Sequence, residues 1–140
     1  MTEDIQVSVL LACYNRNQYL QEAIESILKQ SYTNFEFIIV DDCSNNDTIE
    51  LLNNYEKKDK RIKLFFNKQN RGSTFSFNRA LYNAKNKFVA RMDSDDIAHK
   101  DRIRDQLQFL KENPTIFILG TSIELIDDKN KKLRDIKMNW

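Results

Sequence analysis

Short, nearly continuous apolar runs alternate with amphipathic stretches along the first two-thirds of the chain. The runs are Val7–Cys13, Phe35–Val40, Ile62–Phe66 and Phe88–Met92. The first two are apolar enough to predict strands buried on both faces. Between them, Leu20, Ala23, Ile24, Ile27 and Leu28 recur at helical spacing, with Gln21, Glu22, Glu25 and Lys29 on the other side. Asn15 and Asn17 supply capping chemistry ahead of that helix. A second helix, capped by Asn46 or Asp47, carries Ile49, Leu52 and Tyr55. A polar loop, Asn67 to Gly72, leads to a third helix with Phe77, Ala80, Leu81 and Ala84. A fourth uses Ile103, Leu107 and Leu110, and Pro114 closes it. Ile116–Leu119 has the composition of a fifth strand and Ile123–Ile126 of a sixth extended piece. Beyond Asp127 charge obscures any period.

This alternation implies an α/β fold with a mostly parallel sheet flanked by helices on both faces. A length of 140 residues fits a single domain around one core. In open sheets of this kind ligands bind outside the carboxyl ends of the strands. Polar clusters follow the first, second and fourth runs, so that rim is where chemistry is expected. The dinucleotide G-x-G-x-x-G fingerprint and the Walker loop are both absent.

Composition narrows the partners. A formal net charge of +1 gives no global basic field, which argues against a nucleic-acid partner. With His99 as the one histidine and no C-x-x-C pair, a zinc site is not expected. Cys13 and Cys43 allow a disulfide, but two isolated cysteines in a chain of this size favour reduced thiols in a cytosolic protein. The start MTEDIQ is polar and lacks signal-peptide character. No apolar run approaches the ~20 residues that span a bilayer. The expectation is a soluble chain on the cytoplasmic side. Lys57–Arg61 fits a solvated helix end, and Lys129–Lys132 an exposed turn. With Arg134, that turn leaves peripheral contact with the inner membrane face open, weakened by the neighbouring aspartates.

Asp93, Asp95 and Asp96 fall within four residues at the end of the fourth run. Crowded carboxylates raise one another's pKa unless a cation neutralises them. Mg²⁺ and Mn²⁺ prefer oxygen ligands and commonly sit on one or two carboxylates plus substrate phosphates. The cluster is therefore a candidate seat for a metal diphosphate. The competing reading is a solvated turn in which Asp96 or Asp101 caps the following helix. Asp41-Asp42 ends the second run on the same rim, where a carboxylate suits the imide N–H of uracil. Its plainer reading is an Asx turn from Asp41 to Ser44.

The residues from Val7, VSVLLACYNRNQYLQEAIESILKQSYTNFEFIIVDDCSNNDT, resemble the opening of family 2 glycosyltransferases, which have the GT-A fold. Asn70-Arg71-Gly72, then Phe77-Asn78-Arg79-Ala80, then FVARMDSDD continue the likeness in order, and it extends to about Ile126. The pairing of VDDCSNNDT with DSDD at this separation is what makes it specific.

The resemblance implies roles for individual residues. Ala12, Tyr14 and Asn15 match the segment that lines the nucleotide pocket. Asp42 matches the carboxylate that recognises uracil. Asp93 matches the first acid of the D-x-D motif, near the ribose, and Asp95 the acid that holds Mn²⁺ or Mg²⁺ on the diphosphate. Asp96 falls where a further acid lies beside the sugar, and Asn78 and Arg79 match a region near the donor. Where the family usually has Pro-Thr, this chain has Ala12-Cys13, so a hydroxyl near the base is missing. Cys43 stands where Gly is common. The implied reaction moves a sugar from a UDP-sugar to the hydroxyl of a glycan or lipid-linked acceptor, with inversion. The family's catalytic base lies well beyond its D-x-D motif. Glu124, Asp127 and Asp128 come too early for it, so the base is expected beyond Trp140, in a chain truncated before the acceptor region. A non-catalytic fragment that binds a metal–nucleotide sugar is the alternative.

Two other readings fit poorly. A magnesium-dependent phosphatase with an aspartate nucleophile places its D-x-D after the first strand and follows it with Thr or Val; here it follows the fourth and Ile97 comes next. A phospho-receiver module needs a lysine after a late strand, and none is found.

Overall fold

The computed structural model describes residues 6–15 and 17–137. The polar start Met1–Ile5 and Trp140, both singled out above, lie outside the described residues. The chain divides into two compact units, residues 1–105 and 106–140.

The first unit is built on a parallel sheet. Its strands are β1 (Val7–Cys13), β2 (Phe35–Asp41), β3 (Ile62–Phe66) and β4 (Phe88–Asp93), in the spatial order β3-β2-β1-β4. Continuous apolar runs become the central strands because only there are both faces covered: every residue of β2 is buried, and in β1 only Ala12 is not fully so. Among the described residues β4 has one neighbour, and it alternates in burial, as an edge strand should.

Helices α1 (Asn17–Leu28), α2 (Asn46–Lys58) and α3 (Ser73–Asn83) connect the strands. Leu10, Ile38 and Val40 share one face of the sheet with Ala80 of α3, and Phe65, Phe77 and Ala84 pack against them. Val9, Leu11, Phe37 and Ile39 alternate to the opposite face. That side takes the buried stripe of α1, Leu20, Ala23, Ile24 and Ile27, and Leu52 of α2. Tyr55 of α2 donates its hydroxyl to Glu25 of α1 at 3.0 Å, which fixes the two helices side by side.

Several local expectations need correction. The cap of α2 is Asn45, one residue before the two candidates, and its Oδ1 accepts from the Thr48 amide at 3.0 Å. Asp47 instead lies in the first turn, where its charge favours the helix N-terminus. Asn15 turns away from capping: its Oδ1 accepts from the Asn45 amide at 2.7 Å. α3 leaves Leu81 half exposed and ends before Ala84, because its buried stripe is Ser76 and Ala80.

α4 (Arg102–Glu112) carries the chain from the first unit into the second. Ile116–Leu119, expected as a strand, is not one: it pairs with no strand among the described residues, and Phe117 and Ile118 are largely exposed. The second unit instead forms an antiparallel hairpin, β5 (Ile123–Ile126) with β6 (Lys132–Ile136). Its turn is set by Asp127, whose Oδ1 accepts from the Lys129 and Lys131 amides at 2.9 and 2.8 Å, with Asn130 at φ 60°. Lys129–Lys131 is thus the exposed turn expected, and Lys132 starts β6.

Candidate nucleotide-sugar site

Strand order decides where a site can lie. The chain runs from β1 outward through β2 to β3, then returns to place β4 on the other side of β1. The order reverses between β1 and β4, so the crevice outside their carboxyl ends is the topological switch point. Register puts Ala12 opposite Val40 on one side and Asp93 on the other. The ends of β1, β2 and β4, with Tyr14, Asp41-Asp42 and Asp93–Asp96 following them, therefore share one rim.

The rim loops are tied to one another. The Asp42 amide donates to the Cys13 carbonyl at 2.9 Å, and the Asn67 amide to the Asp41 carbonyl at 2.8 Å. The Asn15 amide donates to Ser44 Oγ at 2.9 Å. Asp41 forms the Asx turn allowed by its sequence, with Oδ2 accepting from the Ser44 amide at 3.0 Å. Cys43, inside that turn, has φ 69°. Left-handed backbone costs an L-residue about 1 kcal/mol, which glycine avoids. This is the physical reason Gly suits that position. Cys43→Gly is expected to stabilise the chain by roughly 0.5–1 kcal/mol in urea unfolding; a loss of stability would show that the thiol's own packing matters more.

Both cysteines are free thiols, Cys13 buried and Cys43 exposed. Burial pushes the Cys13 thiol far above its usual range, and the charges of Asp41 and Asp42 add to this. Cys13 is therefore a protonated core residue.

Asp42 is 3% exposed and densely bonded. Asn67 Nδ2 donates to its Oδ1 at 2.6 Å and the Gly72 amide to its Oδ2 at 2.7 Å. The Arg71 amide reaches both oxygens, at 2.9 and 3.1 Å. Burial pushes this carboxyl up, but Asn67, Arg71, Gly72 and Ser76 all bond to it, and the net result lies below the usual carboxylate range. Gly72 is also the N-cap of α3, with φ 83° and no capping side chain of its own. Asp42, just past the end of β2, supplies the negative charge that this helix end lacks.

On the β4 side, Asp93 is half exposed and pairs with Arg91 at 2.8 Å. Ser94 is buried, and Asp95 and Asp96 are exposed on the turn that follows. Partial burial raises the pKa of Asp96, and the charges of Asp93 and Asp95 raise it further, against Arg102. α4 begins at Arg102, so Asp96 lies outside its first turn and does not cap it; Asp101 bonds Arg104 at 2.9 Å. Arg102 donates to the Arg91 carbonyl at 2.7 Å and faces the Asp93 and Asp96 charges. Sequence reasoning missed Arg102, and it missed Asn67, which sits 7% exposed beneath the rim. Nothing local marks either residue: one opens an amphipathic helix and the other ends a strand.

Tyr14 is exposed and Ala12 half-buried at the mouth of the switch point. Asn78 is exposed on α3. Arg79 is turned inward, with Nη1 donating to the Phe66 carbonyl at 2.7 Å and to Asn67 Oδ1 at 2.6 Å. Among the described residues no group of three or more His, Cys, Asp or Glu side chains is gathered to hold a metal. A hard divalent ion that takes one or two carboxylates here and the rest from a diphosphate is still compatible with this donor set.

A sequence model described as "Glycosyl transferase family 2" matches residues 8–140. The chain belongs to glycosyl transferase family 2. An uncharacterized glycosyltransferase of Rickettsia felis is 44% identical over 133 residues, 95% of this chain and 22% of that protein. The putative teichuronic acid biosynthesis glycosyltransferase TuaG of Bacillus subtilis is 40% identical over 111 residues, 79% of this chain and 44% of its own length. The chain thus spans less than half the length of these curated relatives. Among solved structures, S. aureus TarS in complex with UDP-GlcNAc superposes with a TM-score of 0.72 at 33% identity, covering 79% of this chain and 32% of that one. The mannosyltransferase PcManGT of Pyrobaculum calidifontis, in complex with GDP-Man and Mn²⁺, shares the fold at TM-score 0.72 and 22% identity, over 86% of this chain and 35% of that one. The parallel sheet with helices on both faces is a GT-A-like fold. Among the described residues no helix is long and apolar enough to cross a membrane.

Proposed function

We propose that this chain binds a nucleotide-sugar donor, in the first instance a UDP-sugar, for transfer of the sugar to a glycan or lipid-linked acceptor hydroxyl. The observation that carries this is the register of Ala12 with both Val40 and Asp93, which brings the two acidic strand ends to one rim at the switch point. Family membership and the likeness to a UDP-GlcNAc complex support it.

In this reading Ala12, Tyr14, Asn15 and Asp42 border the base. Asp93 lies toward the ribose, Asp95 is the carboxylate for Mn²⁺ or Mg²⁺, and Asp96 lies toward the sugar. A divalent ion bound there supplies positive charge against the departing diphosphate. Asp93 keeps its own charge balanced through Arg91, which leaves the exposed Asp95 as the open ligand. The base that takes the acceptor proton is unassigned. Glu124 does not offer itself, since it pairs with Lys132 at 2.9 Å within the hairpin. Inversion at the anomeric carbon and a place in surface-polysaccharide synthesis belong to this proposal, as does a cytoplasmic location with peripheral membrane contact for a longer protein.

The test is calorimetric titration with UDP and Mn²⁺, with and without chelator, alongside an assay of UDP release from UDP-sugars. Binding without release identifies a donor-binding piece; release shows that the described residues suffice; neither would reject the nucleotide-sugar reading. Asp42→Ala is expected to weaken UDP by roughly tenfold or more while weakening Mn²⁺–pyrophosphate by less. Equal losses would remove Asp42 from base recognition.

A further inference from the structure

The Asp42 carboxylate is held in place by three donors from the chain itself. They are Asn67 Nδ2 and the amides of Arg71 and Gly72, the Arg71 amide shared between both oxygens. Asn67 is equally committed. Its Nδ2 donates to Asp42 at 2.6 Å and to Ser76 Oγ at 2.9 Å, and its Oδ1 accepts from Arg79 at 2.6 Å. These partners fix which way the amide faces, since only Oδ1 can accept from a guanidinium and only Nδ2 can donate to a carboxylate. Asn67 and Ser76 are buried, so the Asn67 bonds to Asp42 and Ser76 are made out of water's reach, while the bond from Arg79 is partly buried. The Arg79 guanidinium is anchored a second time on the Phe66 carbonyl and lies over the Phe65 ring.

The chain of contacts therefore runs from Arg79 of α3 through Asn67 at the end of β3 to Asp42 at the end of β2. It finishes on the backbone of the exposed loop that ends at Gly72. Residues 68–72 are all exposed, and Gly72 has nothing within 4 Å of where a Cβ would lie; besides Asp42, the loop is held by Cys43 Sγ on the Lys68 carbonyl at 3.8 Å and by the Arg71 guanidinium over the Phe75 ring. The carboxylate bonds to two consecutive amides are its charged attachment to the rim.

We infer that Asn67 and Arg79 are positioning residues for the nucleotide pocket, acting through Asp42 on the 68–72 loop without touching the donor. This rests on the nucleotide-sugar reading given above. It gives Arg79, which the resemblance places near the donor, an indirect role, because its guanidinium is engaged by the Phe66 carbonyl and Asn67. Loop order and Asp42 orientation are set together, so a base contact by Asp42 requires the clasp to be intact.

The experiment compares the unaltered chain with Arg79→Met, Arg79→Lys and Asn67→Ala. Three readings are taken: UDP–Mn²⁺ affinity, pyrophosphate–Mn²⁺ affinity, and amide hydrogen exchange without ligand. Arg79→Met and Asn67→Ala are expected to lower UDP affinity about tenfold, leave pyrophosphate within about twofold, and speed exchange at Arg71 and Gly72 about tenfold. Arg79→Lys, which keeps one donor, should recover part of each effect. Equal losses of UDP and pyrophosphate would overturn the inference, because Arg79 would then reach the diphosphate itself. Unchanged exchange at Arg71 and Gly72, or acceleration spread evenly over the sheet, would overturn it too. Absence of UDP binding by the unaltered chain would instead reject the nucleotide-sugar reading, while the exchange measurement would still judge the clasp.

Discussion

Glu36→Ala is expected to destabilise the chain by about 3 kcal/mol, lowering its thermal midpoint by roughly 10 °C. Glu36 lies near the start of β2, in register with Ser8 of β1, and is 4% exposed. Its Oε1 accepts from Ser8 Oγ at 2.7 Å, the Lys85 amide at 2.8 Å and Asn86 Nδ2 at 3.1 Å. Its other oxygen is paired with Lys63 of β3. Removing the carboxylate takes this acceptor from Ser8 Oγ and the Lys85 amide at the amino end of the sheet, where Ser8 is fully buried, while Asn86 Nδ2 keeps Ser8 Oγ at 3.1 Å. Lys63 is partly exposed and can return to water, which keeps the cost at the lower end for a broken buried pair. Lys63→Met should cost less, about 1 kcal/mol, because the other donors to Glu36 remain.

The same network sets an acid limit. Burial pushes the Glu36 carboxyl up, but the bonds from Lys63, Ser8 and Lys85 outweigh it and leave the pKa below its usual value. A carboxyl with a lowered folded pKa binds protons more readily when unfolded, so stability rises with pH through its titration. Its contribution is fully present above the unfolded value of about 4.3 and is lost as pH falls toward the folded one. Urea unfolding at pH 7 and pH 4 should show this loss, and Glu36→Gln should flatten it. A slope unchanged by Glu36→Gln would assign the acid sensitivity elsewhere. Six residues of extended chain, roughly 20 Å, separate Glu36 from Asp42, so UDP affinity of the folded variant should not change.

Asp95→Asn is expected to abolish the Mn²⁺-dependent part of UDP binding, a loss of about a hundredfold, with the thermal midpoint unchanged. Asp95 is exposed on the turn after β4, so its replacement disturbs no packing. Asp93→Asn should behave differently, since Asp93 holds Arg91 at 2.8 Å and its loss also frees that cation. Titration of both variants with UDP, with and without chelator, checks this. Identical curves for Asp95→Asn and the unaltered chain would take the metal away from Asp95.

How much of this was legible in the sequence varies with the range of the interaction involved. β1 and β2 were legible because a strand buried on both faces must be apolar at successive positions, and Val7–Cys13 and Phe35–Val40 have that pattern. α1 was legible from its stripe of Leu20, Ala23, Ile24 and Ile27, all buried in the fold. β6 was not, because every residue from Lys132 to Asp135 is exposed and an exposed hairpin needs no apolar alternation. Ile116–Leu119 misled for the opposite reason: apolar composition signals a strand only where another strand lies alongside.

The site divides in the same way. The sequence by itself determined the family, the parallel α/β class and the acidic ends of β2 and β4, since these follow from local pattern and motif. Tertiary structure decided that β1 stands between β2 and β4, which is what makes those two ends neighbours; strand order depends on long-range pairing that no local period encodes. It also decided what Asp42 does in the folded chain. A carboxylate at a strand end is, in sequence, equally free to meet a base or a backbone. Only the fold brings Asn67, Arg71, Gly72 and Ser76 around it, from residues far along the chain, and sets its orientation at the rim.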